Sequence, residues 1–262
     1  MVRIVCAVIL ITMPALGQWS KYPLKNIPRL PNGKPNLSAP APKASDGKPD
    51  LSGVWKVPFN GDGTDIVVRP KYLVNLAADL RPEDVSMRAW AEHLYQSRSS
   101  EFGKDFPGAR CLPLGIPISI ATPEPFKIVQ APDLIVILHE TGNLFRQIFL
   151  DGRTLRGELN PTWMGYSVGH WDGGTLVVES TGFNDKTWLD SRGHPHTESL
   201  RLTERYSRRD AGYLDIQITV DDPGAYTKPW TAKIGAELLT DTDLLENVCA
   251  ENEKDTRHLV GK

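Results

Sequence analysis

The chain has 262 residues and a formal net charge of −2, so it is long enough for one large domain and lacks the positive charge of a nucleic-acid-binding protein. Its apolar and charged contents are those of an ordinary globular protein, and neither nucleic acid nor an acidic membrane surface is an expected partner. The 22 glycines and 21 prolines favour a β-rich chain with many loops over a helical bundle.

The N-terminal residues have the features of a secretory signal peptide. Arg3 precedes an apolar run from Ile4 to about Ile11, and small residues follow up to Gly17. The run is too short for a membrane-spanning helix, which needs about 20 apolar residues. We therefore predict that residues 1–17 are removed, that the protein is periplasmic or secreted, and that no membrane anchor remains.

A proline-rich segment, residues 18–50, follows the predicted signal peptide. It contains NGKPNLS at residues 32–38, and a second copy of this motif, DGKPDLS, spans its end at residues 46–52. We interpret the segment as an extended arm or linker, with a recognition motif as the alternative. A single domain, residues 51–262, is predicted to follow it.

The first regular element of that domain is a predicted helix near residues 82–98. Pro82 stands at its first turn with the acidic Glu83 and Asp84 beside it, which are usual helix-start residues. Apolar residues then recur at helical spacing, and His93 shares their face. We therefore expect His93 to pack on the domain rather than to act as a ligand.

From Phe126 onward, the sequence has the short apolar runs, alternating patterns and glycine-containing turns of β-hairpins. Hairpins in succession predict an antiparallel meander, and no helices alternate with the strands as a doubly wound sheet requires. The predicted fold class is mainly β: a meander closed into a lipocalin-like barrel or a strongly curved sheet, with one or two peripheral helices. The predicted strands are residues 134–138, 144–150, 167–171, 175–181, 197–208, 213–220 and 230–239.

Four ionisable side chains share one face of the segment 194–204 if that segment is extended, because side chains two apart in a strand point to the same side. The same face carries two leucines and should therefore be buried. We predict that His194, His196 and Glu204 are acid–base groups in an interior pocket. His194, His196 and Glu198 are also a candidate metal-ligand set, and a solvated loop with ordinary histidines is the alternative.

A buried Glu204 carboxylate needs a cation or several hydrogen-bond donors. Arg146 offers a cation, because it shares a strand face with apolar residues such as Ile148. Two interpretations stay open: a structural Glu204–Arg146 pair that fixes register, or a polar-lined pocket in which Arg146 binds the ligand and Glu204 is an acid or base.

Several other residues are candidates for binding a small molecule, because aromatic rings with a few polar groups suit such a pocket. The alternative is that the tryptophans plug one end of a small barrel. These candidates are His139, Trp163, Tyr166, His170, Phe183, Asp185 and Trp188.

A serine within Gly165–Gly169 fits the G-x-S-x-G pattern of serine hydrolases. That pattern works at a strand–turn–helix corner, whereas the sequence after Gly169 predicts a second strand. Ser167 is therefore not expected to be a nucleophile.

Three cysteines occur in the chain, and Cys6 lies within the predicted signal peptide. Cys111 and Cys249 remain, and two cysteines in an exported protein most simply form one disulfide. A free thiol nucleophile is the alternative.

Five segments of the sequence are distinctive: DGKPDLSGVW (46–55), PTWMGYSVGHWDGGTLVVESTGFNDKTWLD (161–190), GHPHTESLRLTER (193–205), VDDPGAYTKPWT (220–231) and CAENEKD (249–255). Together they resemble a family of exported soil-bacterial proteins to which no activity is assigned. The resemblance covers nearly the whole chain from Asp46, and it implies export but no catalytic residue. The opening Gly53-Val54-Trp55 also resembles the G-x-W of lipocalin-type barrels.

The leading functional hypothesis is an exported barrel whose internal pocket binds a small, partly aromatic or apolar molecule. The alternative is a lyase, isomerase or hydrolase that uses histidine and carboxylate groups in the same pocket. No cofactor is expected, with a divalent metal as the alternative. A third hypothesis is an envelope scaffold whose barrel is packed solid.

Overall fold

A computed structural model describes residues 27–58, 74–101, 104–155, 160–249 and 251. The predicted signal peptide and the first part of the predicted arm lie outside these residues. Within the described ranges, no helix is both long enough and apolar enough to cross a membrane.

Nine strands close into a barrel in sequence order, and the first strand pairs with the last. The predicted fold class, a mainly β barrel with few peripheral helices, is confirmed. The strands are β1 (Gly53–Lys56), β2 (Phe126–Gln130), β3 (Leu134–His139), β4 (Leu144–Phe149), β5 (Tyr166–Asp172), β6 (Thr175–Thr181), β7 (Arg201–Arg208), β8 (Tyr213–Asp221) and β9 (Trp230–Leu239).

One neighbouring pair, β4 and β5, is parallel, and the other eight pairs are antiparallel. A ring of nine strands cannot reverse direction at every step, so at least one pair must be parallel. The parallel contact is short, with Ile148 opposite Ser167 and Phe149 opposite Val168. The end of β4 therefore lies beside the start of β5.

The two ends of the barrel differ in their loops. At the end that we call the turn end, short turns join β2 to β3, β5 to β6 and β7 to β8. The opposite end, the helical end, carries the long loops 182–200 and 222–229 and the connection from β1 to β2. That connection contains the helices, which cover the helical end.

The helices begin and end later than the sequence predicted. Only a single 3-10 turn forms at Pro82–Asp84, and the helix α1 spans Ala89–Ser100. Arg88 has an extended backbone, and its N–H donates to the carbonyl of Ala225, so the helix cannot begin earlier. His93 is exposed rather than packed. A second 3-10 turn, Pro107–Arg110, precedes the short helix α2, Ile118–Ala121.

The two copies of the arm motif form the same turn. In each copy the first side chain, Asn32 or Asp46, accepts the backbone N–H two residues later at 3.0 Å. The glycine that follows, Gly33 or Gly47, has a positive φ of 80° or 81°, which favours glycine. The repeated sequence is therefore a repeated structure.

The first copy of the motif is docked on the turn end of the barrel. The carbonyls of Leu37 and Ala39 accept the N–H groups of Gly212 and Ala211, both at 2.8 Å. The described part of the arm, residues 27–50, is thus fastened at Leu37 and Ala39 to the turn between β7 and β8.

The C-terminal strap, residues 241–249, returns from the turn end to the helical end along the outside of the barrel. Asp243 accepts hydrogen bonds from Lys127 at 2.8 Å, and the N–H of Leu245 donates to Glu140 at 2.9 Å. The strap ends at the disulfide between Cys249 and Cys111. The predicted disulfide is present, and it fastens the strap to the loops of the helical end.

Candidate functional site

The segment 191–200 is a loop rather than a strand, and β7 begins only at Arg201. Within β7 the predicted alternation holds, with Leu202 and Glu204 buried and Arg201 exposed. His194 and His196 are also buried, at 3% and 4% exposure, but their burial comes from the fold of the loop. The two histidines therefore lie at the helical end, while Glu204 lies inside the barrel.

Asp190 is the organising residue of this loop. Its carboxylate is fully buried and accepts the backbone N–H groups of Leu76, Arg192, Gly193 and His194 at 2.9 to 3.3 Å. The Oδ2 atom also lies 2.7 Å from Nδ1 of His194. An acceptor surrounded by donors suits the carboxylate form, so Nδ1 of His194 carries the proton and donates it.

In the neutral imidazole, this hydrogen bond leaves the Nε2 atom of His194 as the lone-pair nitrogen. Among the described residues, Nε2 has no hydrogen-bond partner. The ring is held between aromatic neighbours: the ring centroid of Tyr95 lies 4.3 Å away, and that of Trp230 lies 5.8 Å away. The imidazole is therefore fixed in orientation, with one nitrogen available to accept a proton.

Trp230 adds an unsatisfied donor beside this ring. Its side chain is only 3% exposed, and its indole N–H has no hydrogen-bond partner in the described structure. A buried donor without a partner costs about 1–3 kcal/mol, so a bound acceptor atom would stabilise it. The helical end thus places a free donor and a free acceptor near each other.

His196 is fully engaged by its neighbours. Its Nδ1 atom lies 3.1 Å from the carbonyl of Thr197, which can only accept, so Nδ1 carries the proton. Its Nε2 atom then accepts the hydroxyl proton of Thr187 at 2.7 Å. Burial lowers the pKa of His196. The ring is therefore a neutral member of the loop, and a proton-transfer role for it stays a prediction.

The three predicted metal ligands do not come together. Glu198 is exposed, whereas the His194 and His196 rings are buried and have separate partners. The described ranges contain no group of three or more histidine, cysteine, aspartate or glutamate side chains placed to hold one ion. The loop conformation is the reason, because it breaks the two-residue alternation on which that set depended.

Glu204 forms the predicted pair with Arg146 inside the barrel. Both side chains are at most 1% exposed, and two guanidinium nitrogens donate to the two carboxylate oxygens. The hydroxyl of Tyr206 donates to Glu204 at 2.8 Å. The remaining Arg146 contacts are the hydroxyls of Ser167 at 3.0 Å and Ser180 at 2.7 Å.

The electrostatics of this cluster favour a closed structural unit. Burial alone would lower the pKa of Arg146, but the adjacent Glu204 carboxylate raises that pKa above its ordinary value. Burial, together with Glu204, raises the pKa of Tyr206 well above its ordinary value. Because every polar group faces a partner and apolar side chains surround them, the geometry favours the structural interpretation of the pair.

His139 lies at the helical end of β3 and is buried, with an exposure of 3%. Its Nδ1 atom donates to the carbonyl of Ser119 in α2 at 3.1 Å, while Nε2 has no partner in the described structure. Burial and the nearby Arg146 charge lower its pKa to about 4. His139 is therefore a neutral ring that faces the interior.

The remaining predicted ligand residues are divided between the core and the surface. Phe183 and Trp188 are buried at the helical end, and Trp163 is half-buried there. His170 and Asp185 are exposed. None of these five residues lines the grooves found among the described residues.

Tyr166 and Ser167 line a separate groove of about 280 Å³ at the β4–β5 contact. Ser167 is buried, and its hydroxyl is bonded to Arg146 and Ser180, with no histidine of the described ranges beside it. The structure thus offers Ser167 no general base, as the sequence context predicted. A larger groove of about 560 Å³, on the outer face of β7, β8 and β9, contains none of the predicted site residues.

Sequence reasoning missed Asp190, Tyr95 and Arg98. Asp190 had a local signal, since an aspartate followed by Ser-Arg-Gly commonly turns the chain and accepts nearby N–H groups. Tyr95 and Arg98 are on α1, about 100 positions away along the chain, and only the tertiary fold brings them to the loop.

The fold and the site define a closed nine-stranded β-barrel with a polar and aromatic cluster at its helical end. No model of a known protein family matches the chain, and neither a curated protein nor a solved structure matches it.

Proposed function

We propose that this is an exported barrel protein that binds a small, partly aromatic or apolar molecule at the helical end, against His194 and Trp230. We also propose that the chain is a member of the exported family that its sequence resembles. The single observation that supports the site is the buried Asp190–His194 hydrogen bond at 2.7 Å, which fixes the tautomer and leaves Nε2 of His194 free to accept a proton.

The same geometry supports proton transfer on the bound molecule. His194 Nε2 takes a proton from the ligand, and the Asp190 carboxylate stabilises the imidazolium that forms. The negative charge left on the ligand faces the indole N–H of Trp230, a donor that is already in place before the reaction. Return of the proton to another ligand atom gives an isomerisation, and loss of a leaving group gives an elimination.

Simple binding without chemistry is the second candidate. It is favoured by the burial of His194 at 3% exposure, which restricts access of solvent to the imidazole. The two candidates share one binding site and differ only in whether the His194 nitrogen exchanges a proton with the ligand.

The test is to incubate the protein in D2O with a panel of aryl ketones and to follow ligand signals by NMR. We expect binding-dependent line broadening, together with deuterium incorporation next to the carbonyl. His194→Gln and Asp190→Asn should abolish the incorporation, and His93→Gln is a matched control with an exposed histidine.

If His194→Gln weakens ligand binding but the wild-type protein incorporates no deuterium, the result favours simple binding over proton transfer. If neither binding nor incorporation changes in His194→Gln relative to His93→Gln, the site is wrong and the solid-barrel scaffold becomes the better account.

A further inference from the structure

We infer that the molecule bound at the helical end carries a carboxylate group, and that Arg98 is the residue that binds it. This inference rests on the proposed function, because it names the chemical class of the ligand at the same site.

Arg98 approaches the site from α1. The first atoms of the Arg98 side chain pack tightly against the loop. A Cβ atom added at Gly193 would lie only 2.5 Å from the Arg98 Cβ. Its guanidinium lies over the ring of Trp188, 4.4 Å from the centroid, and its Nη1 donates to the Gly193 carbonyl at 3.3 Å. Arg98 is therefore held in place by packing against the same loop that carries His194.

Within the part of the chain that the structure describes, the Arg98 guanidinium has no carboxylate partner. Its one hydrogen bond there is to the Gly193 carbonyl, whereas the buried Arg146 donates to the Glu204 carboxylate. Burial lowers the pKa of Arg98 to about 10, so the guanidinium is partly removed from water. Four of its five N–H groups have no hydrogen-bond partner among the described residues, and a guanidinium matches the two oxygens of a carboxylate.

The two carboxylates of the cluster are already occupied by other donors. Asp190 accepts four backbone N–H groups and the His194 ring, as described above. Asp222 accepts the N–H and the hydroxyl of Thr197 and the N–H of Gly224, at 2.5, 2.8 and 2.9 Å. Neither carboxylate is within ion-pair distance of Arg98. The guanidinium can therefore bind an anionic group of a ligand.

The other surfaces of the cluster favour an aromatic or apolar body on the ligand. Tyr95 stacks on His194, and Tyr226 meets the edge of Trp230 with centroids 5.7 Å apart. Burial, with Asp190 and Asp222 nearby, raises the pKa of Tyr226 well above its ordinary value, so it adds no negative charge that would oppose an anion. An aromatic carboxylate fits this combination of one cation, aromatic faces and the indole N–H.

The experiment uses three probes of matched shape: benzoate, benzamide and benzylamine. The readout is the indole N–H resonance of Trp230, which is assigned by its loss in Trp230→Phe. We expect benzoate to shift this resonance and to bind about ten-fold more tightly than benzamide, as one charge-assisted hydrogen-bonded pair would give. Arg98→Gln should remove the preference, and Arg98→Lys, which retains the charge, should keep part of it.

Arg110→Gln is the matched control, because Arg110 is an exposed arginine paired with Asp105 at 3.2 Å. Variants are compared only where their thermal melts match that of the wild-type protein. Equal affinity for benzoate and benzamide, preference for benzylamine, or an unchanged preference in Arg98→Gln would overturn the carboxylate inference while leaving the binding site intact. If no probe shifts the Trp230 resonance at high millimolar concentration, both the inference and the proposed binding site fail.

Discussion

The Nδ1 atom of His194 lies 2.7 Å from the Oδ2 atom of Asp190, and both side chains are almost completely buried. Four backbone N–H groups converge on the same carboxylate. The pair therefore has two roles, because it holds the loop 190–194 in shape and sets which nitrogen of His194 is free.

Replacing Asp190 by Asn should change both roles. In Asp190→Asn, the amide NH2 group would face backbone N–H donors that point at a carboxylate oxygen in the wild-type protein. This contact between donors should lower the free energy of unfolding by roughly 1–3 kcal/mol. The His194 ring should lose its single tautomer, which long-range 1H–15N NMR measures directly. Asp185→Asn, an exposed site in the same loop, should change neither quantity. A His194 ring that keeps its tautomer in Asp190→Asn would contradict the assignment.

The Arg146–Glu204 pair predicts a strong asymmetry between single and double variants. Glu204→Leu leaves the buried guanidinium without a counter-charge, and we expect a loss of about 3–5 kcal/mol in the free energy of unfolding. Arg146→Met combined with Glu204→Leu should cost much less, because apolar groups then replace both charges. Urea unfolding measures both.

The exposed pair Arg205–Asp172, at 2.7 Å and also involving β7, is the control for that comparison. Asp172→Ala should cost at most about 1 kcal/mol. If Glu204→Leu costs no more than Asp172→Ala, the buried network is not the closed structural unit described above.

His139 predicts a loss of stability as the pH falls. Its pKa is about 4 in the folded protein and near 6.5 in an unfolded chain, so the unfolded state binds a proton first. The resulting loss in the free energy of unfolding is absent above pH 6.5 and grows to roughly 3 kcal/mol as the pH falls towards 4. His139→Gln should lack this part of the pH dependence of urea unfolding, whereas His93→Gln should retain it. Equal pH profiles for His139→Gln and the wild-type protein would show that His139 is not buried as a neutral ring.

The disulfide predicts a local effect on the C-terminal strap. Because Cys249 fastens the strap to the helical end, Cys249→Ser should raise hydrogen exchange at residues 241–249 much more than in β7 and β8. The remaining bonds of the strap, such as Lys127–Asp243 at 2.8 Å, are partly exposed and hold it weakly. Uniform acceleration of exchange across all strands would instead mean that the bond constrains the whole barrel.

Much of the fold could be predicted from local patterns. The alternation in β7 and β9 and the glycine turns between hairpins are properties of short segments, so the strands and their antiparallel pairing could be expected. The Arg146–Glu204 pair was predictable for a similar reason, because each charge interrupts an apolar face and needs the other.

The parallel β4–β5 contact could not be predicted in this way, because it follows from closing an odd number of strands and not from any local sequence. The His194 site was only half predictable. The loop 190–194 takes its shape from Asp190 and from the N–H of Leu76, which is 114 positions earlier. Tyr95 and Arg98 reach the site only because α1 packs over the helical end.

The most direct test of the account is a crystal structure of the protein soaked with small aromatic carboxylates and their amides. The account predicts electron density for a ligand at the helical end, with its carboxylate within hydrogen-bond distance of the Arg98 guanidinium, and with the Trp230 indole N–H and His194 Nε2 facing the ligand. Density confined to the outer groove on β7, β8 and β9, with the helical end unchanged, would contradict it.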